Sequence, residues 1–200
     1  SGKSFLTIDL AMAVAQGLPW FGRKVAKGGV IYQAGEGAAG LRRKRIPAYR
    51  RYNDLTAADD IPFVLLPGRV NLWDGAAHTA DLIAEIKHWA GRMSEPLKLV
   101  IIDTLAKAMA GGDEISGKDM GMVIDRCEMI RAETGATVLL VHHMNAAGEK
   151  VRGHTSIKAN LESVLVCRMA TTAAGRGQPD VPVTDIDNRK VRELVIDKAK

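Results

Sequence analysis

Long apolar runs are missing from this sequence. None approaches the roughly 20 residues a helix needs to cross a bilayer, and none reads as a signal peptide. Cysteine is scarce. Cys127 and Cys167 are the only two, neither has a neighbouring cysteine or metal-ligand spacing, and both read as small core residues in a reducing cytoplasm. Aromatic residues make up 4%, which leaves little material for a surface that stacks the bases of a single strand on exposed rings. Charge of one sign is not in large excess either, since a net +5 permits a polyanionic partner without requiring one. There is no internal repeat. With 46% apolar residues among 200, the expectation is a soluble, intracellular, globular chain with a real core and one domain over residues 1–200.

What is present is an alternation of strand-like and helical stretches in the order of a parallel α/β sheet. Helices are expected over Ser4–Gln16, ended by Gly17 and Pro19, and over Leu41–Tyr52, kinked or interrupted at Pro47. A third is expected over Ala76–Arg92, with Leu82, Ile83, Ile86 and Trp89 on its apolar side. In the fourth, Asp119–Thr134, the residues Met120, Val123, Ile124, Cys127 and Ile130 recur at helical spacing until Gly135 stops it. Strands are expected over Gly29–Ala34, Pro62–Leu66, Leu97–Ile102, Ala136–Val141, Ser163–Met169 and Arg192–Lys200. Leu97–Ile102 is almost continuously apolar, as a central parallel strand covered on both faces should be. Ala110–Lys118 and Met144–Thr155 read as polar, glycine-containing loops beyond strand C-terminal ends, where open α/β sheets bind ligands. Thr171–Asp187, low in large apolar residues, reads as a surface excursion or hairpin.

The chemistry begins at the first residues. Gly2-Lys3-Ser4 at the mouth of a helix matches the end of the phosphate-loop pattern G-x-x-x-x-G-K-S/T. Backbone N–H groups at a helix start hold phosphate, a lysine neutralises β/γ oxygens, and a serine hydroxyl ligates Mg²⁺. Because the chain opens in mid-motif without an initiator Met, it is expected to be a piece of a longer protein, with the first strand and the start of the loop upstream. Three residues are weak evidence alone, and a partner carboxylate on a buried strand is required. Asp103 supplies it, directly after Leu99-Val100-Ile101-Ile102, where a carboxylate can hold Mg²⁺ through water. No Glu follows it, so the base must come from elsewhere. Glu36, between Gly35 and Gly37 just past a strand, can orient the attacking water. His142-His143 follow another strand, but neighbours on a strand face opposite ways and no ligand set accompanies them. His143 therefore reads as a polar sensor of the γ-phosphate rather than a metal ligand. The basic run Arg42-Arg43-Lys44-Arg45, with Arg50 and Arg51, would spread around a regular helix as a solvated or subunit-contacting face, and is at most an equal candidate for DNA.

Together these residues resemble the RecA-like P-loop ATPases of the AAA family, and within them the RepA-type replicative helicases of plasmids and phages. The resemblance covers nearly the whole chain. Its blocks are Gly2-Lys3-Ser4, Pro19-Trp20-Phe21-Gly22, Tyr32-Gln33-Ala34-Gly35-Glu36-Gly37 with Leu41-Arg42-Arg43, Ile101-Ile102-Asp103-Thr104-Leu105-Ala106, Gly111-Gly112-Asp113-Glu114, Asp119-Met120-Gly121, Leu139-Leu140-Val141-His142-His143 and Arg152-Gly153. No single block decides; the ordered series is specific. The resemblance implies a mostly parallel sheet flanked by helices, with ATP and Mg²⁺ as cofactors, in a hexameric ring on single-stranded DNA. It implies Glu36 as catalytic glutamate, Asp103 as the magnesium aspartate and His143 as sensor. It also implies Lys150 and Arg152 as DNA contacts in the loop from Met144 to Arg152, and Lys198 and Lys200 as fingers reaching a neighbour's site. The family more often places Arg where Lys200 stands. ATP-driven unwinding or translocation is the leading expectation. A recombination or repair ATPase that does not unwind, and a nucleotide-gated DNA-binding assembly module, are the alternatives.

Overall fold

A computed structural model describes residues 2–143, 160–172, 181–186 and 191–199. They divide into two compact units, Ser4–Ile157 and a smaller one formed by Ser1–Lys3 with Lys158–Lys200.

The larger unit is built on four parallel strands: β1 (Gly29–Ala34), β2 (Phe63–Pro67), β3 (Leu97–Asp103) and β4 (Thr137–Val141). Their order is β2-β1-β3-β4. Parallel neighbours need helical crossovers, and the sequence supplies them. Helix α1 (Lys3–Gln16) precedes β1, and α2 (Ala38–Gly40), a π-helical turn (Leu41–Arg45) and α3 (Ile46–Tyr52) lead to β2. Helix α4 (Ala76–Ala90) leads to β3, and α5 (Leu105–Ala108) with α6 (Gly117–Thr134) leads to β4. Every residue of β1 and the last five of β3 are buried, which is why both read as unbroken apolar runs.

Strand alternation assigns the two faces. Val30, Tyr32, Ala34, Leu99 and Ile101 share a core with Ile8, Ala11, Met12 and Ala15 of α1 and with Leu41. Ile31, Val100 and Ile102, equally buried, alternate with them. Beyond that second face α4 and α6 pack on each other, α4 touching β1 and α6 touching β4. Their buried stripes are Leu82, Ile83 and Ile86, and Met120, Val123, Ile124, Cys127 and Ile130. Ser116 caps α6 by accepting a hydrogen bond from the Asp119 N–H at 3.2 Å, which starts the helix two residues before Asp119.

One expectation is refined by the structure and another is corrected. Pro47 stands just past the point where a π-helical turn gives way to α3, so the helical stretch changes type beside it without ending. The irregularity lies just ahead, in the π-helical turn. Trp89, placed on the apolar side of α4, is 38% exposed and stacks edge-on against His88. It stands in the last turn, at the rim of the buried stripe.

In the smaller unit, β5 (Ser163–Met169) pairs antiparallel with β8 (Arg192–Ala199). Arg168 faces Glu193 across that ladder at 2.6 Å. β6 (Thr171–Thr172) pairs antiparallel with β7 (Val181–Pro182). Among the described residues no helix is long and apolar enough to cross a membrane.

Candidate functional site

Parallel register brings the site together. Ala34 of β1 lies opposite Asp103 of β3, and Asp103 lies opposite Val141 of β4. The residues just past these strands therefore emerge at one edge of the sheet, the edge where open α/β sheets take ligands. Glu36, Asp103, Thr104 and His143 all arrive there, from segments far apart in sequence.

The Glu36 carboxylate is their meeting point. One oxygen, Oε1, lies 3.5 Å from the Thr104 hydroxyl, which donates to it, and 4.0 Å from His143 Nε2. The other, Oε2, lies 3.7 Å from Lys107 Nζ. Glu36 and His143 are both partly open to solvent, so a water or a phosphate oxygen can reach them. Gly35 lets the backbone run this close to β3: a Cβ there would stand 3.1 Å from Lys107 Cβ and 3.2 Å from the Asp103 carbonyl oxygen.

Asp103 is of another kind. It is 5% exposed, at the end of β3, whose last five residues are all buried. Tyr32, fully buried on β1, donates its hydroxyl to Asp103 Oδ2 at 2.5 Å. Burial raises the Asp103 carboxyl above its ordinary range, the Tyr32 hydrogen bond pulls it back, the Glu36 charge raises it further, and Arg45 and His143 oppose that. Burial likewise pushes the Tyr32 phenol far up, so that it remains a donor. A buried carboxylate whose ionised form the surroundings penalise is suited to a hard divalent cation, which restores that form. Its oxygen donor is the type Mg²⁺ takes.

The same hydroxyl links the site to α1. Thr7 hydrogen-bonds to Tyr32, so a chain of contacts runs Asp103–Tyr32–Thr7 from the end of β3 into the second turn of α1. Ser4 lies one turn before Thr7 on the same helix face. Lys3 opens α1, and Gly2 precedes it with φ 82°. Backbone N–H groups of a first turn have no partner within the helix and so suit an anion.

Of the residues expected from sequence, the structure thus gathers Glu36, Asp103 and His143, and sets Gly2, Lys3 and Ser4 at the start of α1. Lys198 lies in β8 opposite Val164. Lys150, Arg152 and Lys200 lie outside the described residues. His142 and His143 follow β4 rather than ending it, so their directions come from the loop, not from strand alternation.

The basic run is also redistributed. In the π-helical turn Arg45 lies over the Phe5 ring at 5.4 Å and acts electrostatically on Asp103 and Tyr32. Arg42, Arg43 and Arg50 instead line a groove of about 650 Å³ floored by Met12, Ile46, Phe63 and Leu65. Sequence reasoning missed Tyr32, Thr7, Lys107 and Arg45. The available signals were a lone phenol in an apolar strand and a lysine one turn beyond Thr104.

The loops beyond β2 and β3 are stitched together near this edge. The Leu72 N–H donates to the Ala108 carbonyl at 2.7 Å, and the Asn71 side chain donates to the Ala110 carbonyl at 2.8 Å. Trp73 lies against Gly111 and Gly112.

Comparisons with known proteins bear on the family and the fold. A family model described as AAA domain matches residues 1–149. The crystal structure of the KaiC-like protein PH0186 from the hyperthermophilic archaeon Pyrococcus horikoshii OT3 aligns with a TM-score of 0.56 and 15% identity. That alignment covers 100% of this chain and 75% of the other. It shows the fold: a RecA-like α/β architecture with a central parallel sheet flanked by helices. No curated protein matches.

Proposed function

The chain belongs to the AAA domain family of P-loop ATPases, and from that premise we propose that it hydrolyses ATP with Mg²⁺ to drive movement on, or unwinding of, DNA. The observation that carries the hydrolytic half is the convergence of Glu36, Asp103 and His143 at one sheet edge, with Asp103 tied through Tyr32 and Thr7 to the first turns of α1.

Each residue has a defined task in this reading. The α1 N–H groups and Lys3 bind the β- and γ-phosphates, and Ser4 and Asp103 hold the metal. Bound Mg²⁺ supplies positive charge to the phosphate oxygens. Glu36 orients the attacking water and accepts its proton, which a half-open carboxylate fixed by three neighbours can do. His143, beside Glu36, senses the γ-phosphate and relays it into the loop from Met144 to Arg152, where Lys150 and Arg152 contact DNA backbone. Lys198 and Lys200 reach a neighbouring subunit's nucleotide in a ring of copies of this chain. The helicase half, the ring and single-stranded DNA as partner rest on the ordered resemblance described above.

The test uses the full-length protein. Lys3→Ala should abolish ATP turnover. Glu36→Gln should keep nucleotide binding while hydrolysis falls roughly 10²- to 10⁴-fold. Retained turnover in Lys3→Ala rejects the phosphate site. ATP turnover should rise with single-stranded DNA, and strand displacement separates a helicase from a recombination-type ATPase.

A further inference from the structure

Lys107 has no task in the scheme above, yet it stands at its centre. It lies one turn after Thr104, its N–H bonded to the Thr104 carbonyl at 3.0 Å, so the two side chains share a face of the short helix that follows β3. Both reach Glu36: the Thr104 hydroxyl takes Oε1 at 3.5 Å and Lys107 Nζ approaches Oε2 at 3.7 Å. The bare Cα of Gly35 leaves room for the Lys107 stem to cross the strand-end carrying Glu36.

The electrostatics show why a cation is useful there. Glu36 follows β1 and Asp103 ends β3, neighbouring strands whose ends lie opposite one another, so two carboxylates share one sheet edge. A cation beside Glu36 opposes that accumulation of negative charge. The Lys107–Glu36 pair is 39% and 43% exposed. Half-open ion pairs of this kind contribute little to folding, so the value of the contact lies in where it puts the carboxylate.

We propose that Lys107 is a positioning residue for hydrolysis, holding the Glu36 carboxylate in the orientation from which it directs the attacking water. The inference rests on Glu36 being the base. Lys107 acts through Glu36 and not on the nucleotide, which separates it from Lys3.

The experiment compares Lys107→Met, Lys107→Arg, Glu36→Gln and the Lys107→Met/Glu36→Gln double variant in the full-length protein, by steady-state ATP hydrolysis and by binding of a fluorescent ATP analogue. Lys107→Met should lower kcat roughly ten- to a hundred-fold, the scale seen when a supporting partner of a reacting group is removed. KM and analogue affinity should stay within about two-fold, as expected for a contact not made to substrate. Lys107→Arg should restore most of the rate, because it keeps the charge, whereas a packing role would not tell Arg from Met. In the Glu36→Gln background, Lys107→Met should cost nothing further. An unchanged kcat, or a loss of analogue affinity that accounts for the whole effect, overturns the proposal. If Glu36→Gln itself turns over at the wild-type rate, the base assignment fails, whatever Lys107→Met does. If Glu36→Gln is inactive and Lys107→Met is normal, only the Lys107 inference fails.

Discussion

Replacing Tyr32 by Phe removes one oxygen atom from the centre of the protein and tests how Asp103 is held. The ring is fully buried and Phe fills the same space, so the change opens no ring-sized cavity. What it deletes is a 2.5 Å hydrogen bond to a carboxylate that is 5% exposed. Hydrogen bonds to charged groups contribute about 1.5–3 kcal/mol, so a loss of about 2 kcal/mol is expected where Asp103 is ionised. The pH dependence follows from the direction of the Asp103 shift. Its folded-state carboxyl lies above the ordinary value of 3.8, so the stability linked to this group is full below that value. That stability declines as pH rises through the folded-state value. The Tyr32 bond favours the ionised form and opposes the decline. The wild-type advantage over Tyr32→Phe should therefore be largest near about pH 8 and shrink as Asp103 takes up its proton in acid. Urea unfolding of both proteins across that range, without nucleotide or Mg²⁺, measures it. An equal loss at every pH would show that the hydroxyl serves packing or Thr7 and not the Asp103 charge, and no loss at all would remove the link between β3 and α1.

Other outcomes follow from the same geometry. Gly112→Ala would put a Cβ 2.8 Å from the Trp73 ring, so it should lower stability by about 1–3 kcal/mol. A red shift of Trp73 emission would accompany it as the loop beyond β3 is pushed off β2's, and an unchanged melting temperature would deny that packing. Cys127 is buried on α6 with its thiol pushed up to about 12 by burial, and secondarily by Glu128. It should resist alkylation in the folded protein and become labelled in step with urea unfolding. Rapid labelling under native conditions would contradict the buried stripe.

The sheet edge that gathers Glu36, Asp103 and His143 could be read from sequence largely because strand ends can. Apolar runs placed β1, β3 and β4 to within a residue or two. Once three strands are parallel, whatever follows them must emerge together, so Glu36, Asp103 and His143 were legible without coordinates. The support beneath them was not. That Tyr32 on β1 would face Asp103 depends on strand order and register, which no local pattern records. The reach of Lys107 to Glu36 depends on Gly35 passing close to β3. Pro47 marked a disturbed helix in the sequence, but a π-helical turn as the form of that disturbance is not written in a proline alone. Arg45 was grouped with its neighbours because a regular helix was assumed where the π-helical turn re-aims the side chains.

The Tyr32–Asp103 bond joins positions 71 residues apart and the Thr104–Glu36 contact joins positions 68 apart. A site assembled wholly from such distant pairs has no partial form. Chain must be threaded through several crossovers before any two of these side chains meet, so contact order sets the pace and the site is gained late in folding. Conversely, detachment of β1 in a local opening would disperse the carboxylates and the tyrosine in one event. Hydrogen exchange at Tyr32 and loss of nucleotide binding should then report a single opening free energy.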